Sequence, residues 1–460
     1  MANRTGLPML AFFLIVGMLA GSDGVGKISF DYPATAQFLG IVALCFILFS
    51  GGLDTKFDQI KPIMWRGITL STFGVLITAL CLGAFVHWVT DFSWFESFLL
   101  GSIVSSTDAA AVFAIFRSKN TGLKRNLRPT LELESGSNDP MAYFLTLTFI
   151  SLIKQPDASV WIMIPMFLKG VTLGAAMGFL IGKLAIRVIN RIGLFVEGLY
   201  PVLTIAMMLF CFSITEVIGG NGFLAIYISG LVMGNSNFIH KRSLLKFYDG
   251  FAWLMQILMF LTLGLLVFPS HLTPIIGIGL LISVFLMLVA RPVAMLLCLL
   301  PFRVYYKDLT FISWVGLKGA VPIIFATYPM VEKIPNADVI FHIVFFITLT
   351  SLLLQGTTLF NVANWLHLSI PEGKARKTII EFDSATVKSV LEEIIVEPDF
   401  RCVNHAIVEL KLPKAVLIVM IEREDKYFTP NGSTVIEQGD RLIILADSKA
   451  NLEITFNTLK

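Results

Sequence analysis

From residue 7 to residue 366 the sequence is a succession of apolar segments. Most have the roughly 20 residues that a helix needs to cross a hydrocarbon core of about 30 Å. They lie near 7–21, 35–53, 67–89, 94–116, 130–153, 161–186, 198–218, 221–235, 250–268, 273–300, 309–331 and 338–366. Such a chain folds as an all-α polytopic membrane protein of about twelve spans, because backbone polar groups in lipid must be satisfied within helices. Its 56% hydrophobic and 15% charged residues are too apolar a mixture for a soluble surface. The first apolar run has no small-residue cleavage pattern and reads as a span, not a removable leader. Four of the five cysteines fall in apolar runs, and none forms a CxxC pair, so all five read as packing residues.

The loops orient the spans. After spans two, four, six, eight and ten stand sixteen Lys and Arg residues, among them Arg117, Lys119, Lys124, Arg125 and Arg128; the opposite loops hold Lys27, Lys154 and Lys333. Basic loops stay on the cytoplasmic side, so both termini of this chain are expected there. A net charge of +3 leaves nothing beyond this for nucleic acid. From about residue 371 the texture turns polar. KAVLIVMI and RLIILA read as strands, PNGS and EQGD as turns, and SKANLEITFNTL as a helix with Ser448 as N-cap and Leu452, Phe456 and Leu459 on one face. The expected organisation is a membrane domain over 1–368, a linker over 369–390 and a small α+β cytoplasmic domain over 391–460.

Three interruptions carry chemistry. LELESGSNDPMAYF, at residues 131–144, puts Glu132, Glu134 and Asp139 into span five. On a helix Ser135 and Asp139 share one face and Glu134 and Asn138 the next. Pro140 leaves the Gly136 carbonyl without its helical donor. The result is a pocket of oxygens at membrane depth, where an acid is costly and marks an ion or proton path. Glu132 is instead expected at the surface, beside the basic loop. In span four, Ser105, Ser106, Thr107 and Asp108 precede three alanines and read as a helix broken in mid-membrane, its second half starting at Thr107 or Asp108 with partial positive charge; the alternative is a polar kink satisfied by neighbouring helices. Span eleven is interrupted at Gly316, Gly319 and Pro322 around Lys318. Broken helices four and eleven are seven apart, an odd offset that implies inverted repeats with two discontinuous helices crossing at the substrate site. Lys318 needs an anion, and Glu134 is the candidate. Arg291, in span ten before Pro292, is either a structural tie to backbone carbonyls or part of the ion path. Lys169, His87 and His342 lie near span ends and read as interfacial or core residues.

TDAAAVF, ESGSNDP and GLKGAVP, with LFSGGL, YISGLVMGN, LTLGLLV and ARP in the same order, resemble the sodium or potassium/proton antiporters of the NhaP branch of the cation:proton antiporter superfamily. The resemblance implies a homodimeric carrier of the cell (inner) membrane, not an enzyme, working by alternating access. Thr107, Ser135 and Asp139 would then surround a monovalent cation with help from Asp108, Glu134 and Asn138 would support them, and Lys318 would stand where the family usually has arginine. It also implies thirteen spans, this chain starting at the second. The tail, LPKAVLIVMIEREDKYFTPNGSTVIEQGDRLIILA, resembles the C-terminal subdomain of TrkA-type potassium-transport regulators, which implies a ligand-sensing or dimerising module and inclines the reading toward K+ over Na+.

A carboxyl starved of water favours its neutral form unless a cation is present, so a proton and an alkali cation compete for Asp139. With Asn138 unable to titrate and Glu134 and Lys318 neutralising each other, electroneutral 1:1 exchange of K+ or Na+ for H+ is expected, the transported ions being substrates and no cofactor being needed. The alternative class is a cation channel gated by its cytoplasmic domain. A GxGD pattern, the mark of an intramembrane aspartyl protease, is absent from the sequence.

Overall fold

Twelve apolar segments become helices in the order the sequence gives them. The computed structural model describes residues 9–119, 121–155, 157, 159–371, 390–396, 400–410, 412–413, 415–423, 426–447 and 449–459. Two compact units divide the chain, Met1–Pro371 and Glu372–Lys460. In the first, the helices are α1 (Met9–Ala20), α2 (Pro33–Asp54), α3 (Phe57–Val89), α4 (Trp94–Ile103), α5 (Ala109–Ser118), α6 (Leu127–Lys154), α7 (Val160–Ile192), α8 (Leu199–Val217), α9 (Gly222–Gly234), α10 (Lys241–Leu266), α11 (Pro269–Phe302), α12 (Tyr306–Trp314), α13 (Val321–Val331) and α14 (Ala337–Trp365). Among the described residues α2, α3, α7, α8, α10, α11 and α14 are long and apolar enough to cross a membrane. Helix α6 has 28 residues and is made polar by the acids of its first half.

These helices sort into two layers by what they touch. Helix α9 packs along α2, α7 and α8, and α10 along α1 and α2, forming a panel. Helices α3, α4, α6, α11 and α14 pack on one another, with the half-helices α5, α12 and α13 among them, forming a bundle. The two layers meet along a seam where α13 lies on α2 and α6 on α9. Lipid offers no hydrophobic drive to press helices together, so the panel relies on close approach through small residues. A Cβ on Gly17 would lie 2.9 Å from the Cα of Gly264, and one on Gly230 would lie 3.2 Å from the Cα of Gly52.

The inverted-repeat expectation acquires a marker that sequence reading did not supply. Helix α3 opens with a four-residue α turn and a 3-10 turn at Lys61–Ile63, and later carries a π turn at Leu70–Gly74. Helix α11 repeats the series, with a 3-10 turn at Thr273–Ile275 and a π turn at Leu286–Ala290. Helix starts at Phe57, Trp94 and Ala109 find counterparts at Pro269, Tyr306 and Val321, at one and the same separation along the chain. Both expected breaks are present, α4 to α5 over 104–108 and α12 to α13 over 315–320. A short antiparallel ribbon, β1 (Thr121–Leu123) with β2 (Ser369–Pro371), joins the loop after α5 to the end of α14. Of the expected linker, therefore, the first residues form a strand and Val390 opens the next one, while 372–389 lie outside the described residues.

The second unit is a four-stranded antiparallel sheet in the order β3-β6-β4-β5, with β3 Val390–Ile395, β4 Val416–Arg423, β5 Lys426–Phe428 and β6 Arg441–Ala446. Helix α15 (Lys449–Leu459) packs on β4 and β6, burying Leu452 and Leu459, while Phe456 meets Phe400 edge-on. Gly439, at φ +89°, makes the turn before β6 where a side chain would be strained. The expected N-cap Ser448 lies outside the described residues.

Because α2 and α9 touch backbone to backbone, Gly230→Val should force them apart at a cost of about 1–3 kcal/mol. The expected readout is a lower unfolding temperature of the purified protein in detergent; an unchanged temperature would show that the contact is not needed.

Candidate functional site

Two helices broken beside each other leave backbone groups that must find partners. Ser93 starts α4 with a capping box to Glu96, and α4 ends at Ile103. Asp108 then caps α5, its Oδ1 accepting from the Ala111 amide at 3.0 Å. The Asp108 amide donates across to the carbonyl of Leu317 in the other break, at 2.8 Å. On that side the Lys318 amide donates to Ser351 Oγ of α14 at 2.9 Å, and Gln355 of the same helix donates to the Trp314 carbonyl at 2.8 Å. Lys318 is 2% exposed, and its ammonium donates to the carbonyls of Ser105 and Ser106 at 3.3 and 3.0 Å, just past the negative end of α4. Gly319 is required here, since a Cβ at that position would collide with the Asp108 carboxylate.

Helix α6 brings the rest. Ser135 Oγ accepts from the Ala109 amide and donates to the Thr107 carbonyl, both at 2.9 Å. Asn138 donates from Nδ2 to Thr107 Oγ1 at 2.6 Å, leaving its own Oδ1 buried without a hydrogen-bond partner. Ser106 donates to Asp139 Oδ1. Among the described residues Asp139, 5% exposed, is in no ion pair. Thr107, Asp108, Ser135, Asn138, Asp139 and Lys318 therefore meet at the crossing. A carboxylate, hydroxyls and carbonyl oxygens are the donor set that a hard monovalent cation accepts.

The structure corrects the expected pairing of the two deep cations. Glu134 bonds Arg291, not Lys318: Oε1 and Nη2 are 2.5 Å apart and both side chains are almost fully buried. Arg291 follows the π turn of α11, and Gly316 leaves it room, since a Cβ there would lie 2.8 Å from the Arg291 Nε. Lys318, which sits inside the break, binds the carbonyls that α4 cannot satisfy. The tie to backbone carbonyls considered for Arg291 thus belongs to Lys318. Glu132 pairs with Arg128 one turn away at 2.9 Å, near the basic loop. His87 bonds the Phe92 carbonyl at 2.8 Å and stacks on Trp94, and Lys169 lies beside Gly219; neither joins the crossing. His342 bonds the Asp338 carbonyl at 2.6 Å, one turn earlier on α14. Sequence reading missed Ser351, Gln355 and Gln256, whose Nε2 reaches Asp108 Oδ2 from α10 at 3.4 Å. A lone glutamine in the apolar run WLMQILMF was the available signal.

Residues 1–365 match the family described as sodium/hydrogen exchanger, transmembrane, and residues 391–454 match the TrkA-C domain. The K(+)/H(+) antiporter NhaP of Alkalimonas amylolytica is 36% identical over 446 residues, 96% of this chain and 78% of that one. The K(+)/H(+) antiporter NhaP2 of Shewanella sp. (strain ANA-3) is 39% identical over 454 residues, 98% of this chain and 78% of its own. In fold, the chain is similar to the sodium proton antiporter MjNhaP1 from Methanocaldococcus jannaschii at pH 8, with TM-score 0.70 and 23% identity over 79% of this chain and 94% of that one.

Breaking a buried ion pair from one side strands a charge, at a cost of about 3–5 kcal/mol. Glu134→Ala and Arg291→Ala should each destabilise by about that much, and the double variant by clearly less than the sum. Thermal unfolding of the three variants checks this; additive losses would show that the two side chains are not coupled.

Proposed function

The chain belongs to the sodium/hydrogen exchanger family, and on that premise we propose that it is a K+/H+ antiporter in which Asp139 is the carboxylate the two ions compete for. The observation that carries this is Asp139 itself: buried at the crossing of two broken helices, held by Ser106, and outside any ion pair among the described residues. An acid so placed is stable when it holds a proton or a cation and costly when bare. Each ion therefore enters only as the other leaves, and a bare carboxylate is held back from crossing.

Charge balance supports one exchanging group. Glu134 and Arg291 cancel each other, Lys318 is occupied by carbonyls, Asn138 does not titrate, and Asp108 is fixed by its cap and by Gln256. The electroneutral 1:1 stoichiometry keeps its basis, now with Arg291 as the partner of Glu134. Thr107, Ser135 and Asp139 hold the cation, Asp108 and Asn138 shape its cage, and Glu134, Lys318 and Arg291 keep the crossing rigid. K+ is favoured over Na+ by the two relatives named K(+)/H(+) antiporters.

The remaining parts follow the same reading. The protein is a multi-pass membrane carrier; in this proposal it lies in the cell (inner) membrane with the basic loops and both termini of this chain on the cytoplasmic side. Helix α7 exposes Trp161, Ile164, Leu168 and Leu180, an apolar face for lipid or for the second copy of a homodimer. The TrkA-C domain, reached through β2, regulates transport in response to a small-molecule ligand.

In proteoliposomes with an internal pH dye, K+, Na+ and Li+ added in turn should drive proton flux that does not respond to membrane voltage. Asp139→Asn should abolish it. Ser135→Ala should raise the half-saturating cation concentration about tenfold, the weight of one ligand oxygen at roughly 1.4 kcal/mol. Because protons compete, that concentration should rise as pH falls, by up to about tenfold per unit at the acid limit. Voltage-driven current, single-channel conductance or pH-independent cation affinity would overturn the reading.

A further inference from the structure

A second carboxylate stands across the seam from the crossing. Glu216 lies two residues before Ile218, at the end of α8, half-buried, and among the described residues it is in no ion pair. Its Oε1 accepts from the Gly222 amide, the first residue of α9, at 2.8 Å. Its Oε2 accepts from the Tyr143 hydroxyl at 3.4 Å. Tyr143 follows Asp139 by four residues, so it stands on the same face of α6, one turn farther from the basic loop. Around the Tyr143 ring are Phe223 at 4.9 Å, Tyr328 at 5.7 Å and Phe325 at 5.9 Å. Close by, Asn221 caps α9 through Leu224 and donates from Nδ2 to the Pro140 carbonyl at 2.8 Å.

The two halves of this arrangement belong to different layers. Tyr143, Pro140, Phe325 and Tyr328 are on the bundle; Glu216, Asn221 and Phe223 are on the panel. The aromatic rings fill the space beyond Asp139, and two hydrogen bonds hold the layers together there. A parting of the seam on this side would carry Tyr143 and Pro140 away with the bundle. Glu216 would then keep only the Gly222 amide, leaving Oε2 open to a monovalent cation, with the Lys169 ammonium beside Gly219, three residues on, and in no ion pair with Glu216 among the described residues.

Resting on the antiport reading above, we propose that Glu216 is a side-specific loading site for the monovalent cation at the face opposite the basic loops. The cation meets Glu216 first and passes one helical turn along α6 to Asp139. In the closed arrangement the same carboxylate accepts the Tyr143 hydroxyl, so one group serves the open and the closed mouth in turn. A helix cap alone would need the Glu216 oxygen and not its charge, and substitution separates the two roles. Glu216→Gln keeps an oxygen for the Gly222 amide and removes the charge; Glu216→Ala removes both; Tyr143→Phe removes only the hydroxyl.

The test compares right-side-out and everted membrane vesicles containing the full chain, with K+ presented at one face at a time. Glu216→Gln should raise the half-saturating K+ concentration at the face opposite the basic loops by about threefold or more. The value at the basic face and the unfolding temperature should stay at wild-type levels. Tyr143→Phe should leave the half-saturating concentration at the outer face unchanged or lower, since the carboxylate then has no competing donor. If Glu216→Gln matches wild type at both faces, or shifts both equally, the proposal is overturned; a loss of stability in Glu216→Ala alone then assigns the residue to capping. Absence of exchange by the wild-type chain overturns the antiport reading itself and this proposal with it.

Discussion

Each of the two broken helices supplies what the other lacks, and the rest of the membrane unit depends on that exchange. Ending a helix at membrane depth strands amides and carbonyls that no water can reach, each costly if left alone. Here the Asp108 amide takes the Leu317 carbonyl, and the Lys318 ammonium takes the carbonyls of Ser105 and Ser106. Ser351 and Gln355 of α14 close the second break from behind, and Ser135 and Asn138 of α6 close the first. These bonds hold the two breaks against each other, and Asp139 faces the first of them through Ser106.

The two deep cations divide the buried acceptors between them. A lysine ends in a compact ammonium with several donors, which suits a cluster of carbonyls at a helix end. An arginine ends in a planar fork suited to a carboxylate, and Arg291 meets Glu134. With Lys318 held by carbonyls, the buried acid Glu134 is paired by Arg291, which directly follows the π turn at Leu286–Ala290.

Much of this was legible in the residues. Four polar positions before three alanines located the first break, with the second half expected to start at Thr107 or Asp108 and found to start at Ala109 under an Asp108 cap, and glycines around Lys318 located the second break. The acids of span five were separable by depth: Glu132 fell to Arg128 at the edge, and Asp139 to the centre. What sequence could not supply was choice among long-range partners. Glu134 had two cations to choose from, at positions 291 and 318, and spacing along the chain says nothing about which helix lies behind α6. Gln256 was a lone polar residue and Glu216 a lone charged residue in apolar runs, and their meaning comes from the layer that faces them. The repeat was read from the offset of two broken helices, whereas its fuller form, matched 3-10 and π turns in α3 and α11, is a backbone property that no residue type announces.

Close packing holds both the layers and the seam between them, where a Cβ on Gly40 would lie 2.8 Å from Ile324 Cγ1 and one on Gly136 2.6 Å from Tyr227 Cε2. Inside the panel, α1 meets α10 and α2 meets α9 with glycine Cα atoms nearly touching, a fit that tolerates no displacement. Inside the bundle, a buried ion pair joins α6 to α11, and the crossed breaks tie α4, α5, α12 and α13 to α6 and α14. Among the described residues the polar links across the seam include the hydrogen bonds of Gln256 to Asp108, Tyr143 to Glu216, Asn221 to the Pro140 carbonyl and the Phe57 amide to Asn235. Each contributes about 0.5–1.5 kcal/mol net, within reach of thermal rearrangement. Asp139, Asp108 and Thr107 all sit on the bundle side of this boundary, so a shift of one layer past the other would keep the three together and break the Gln256–Asp108 bond, changing which face of the crossing is open.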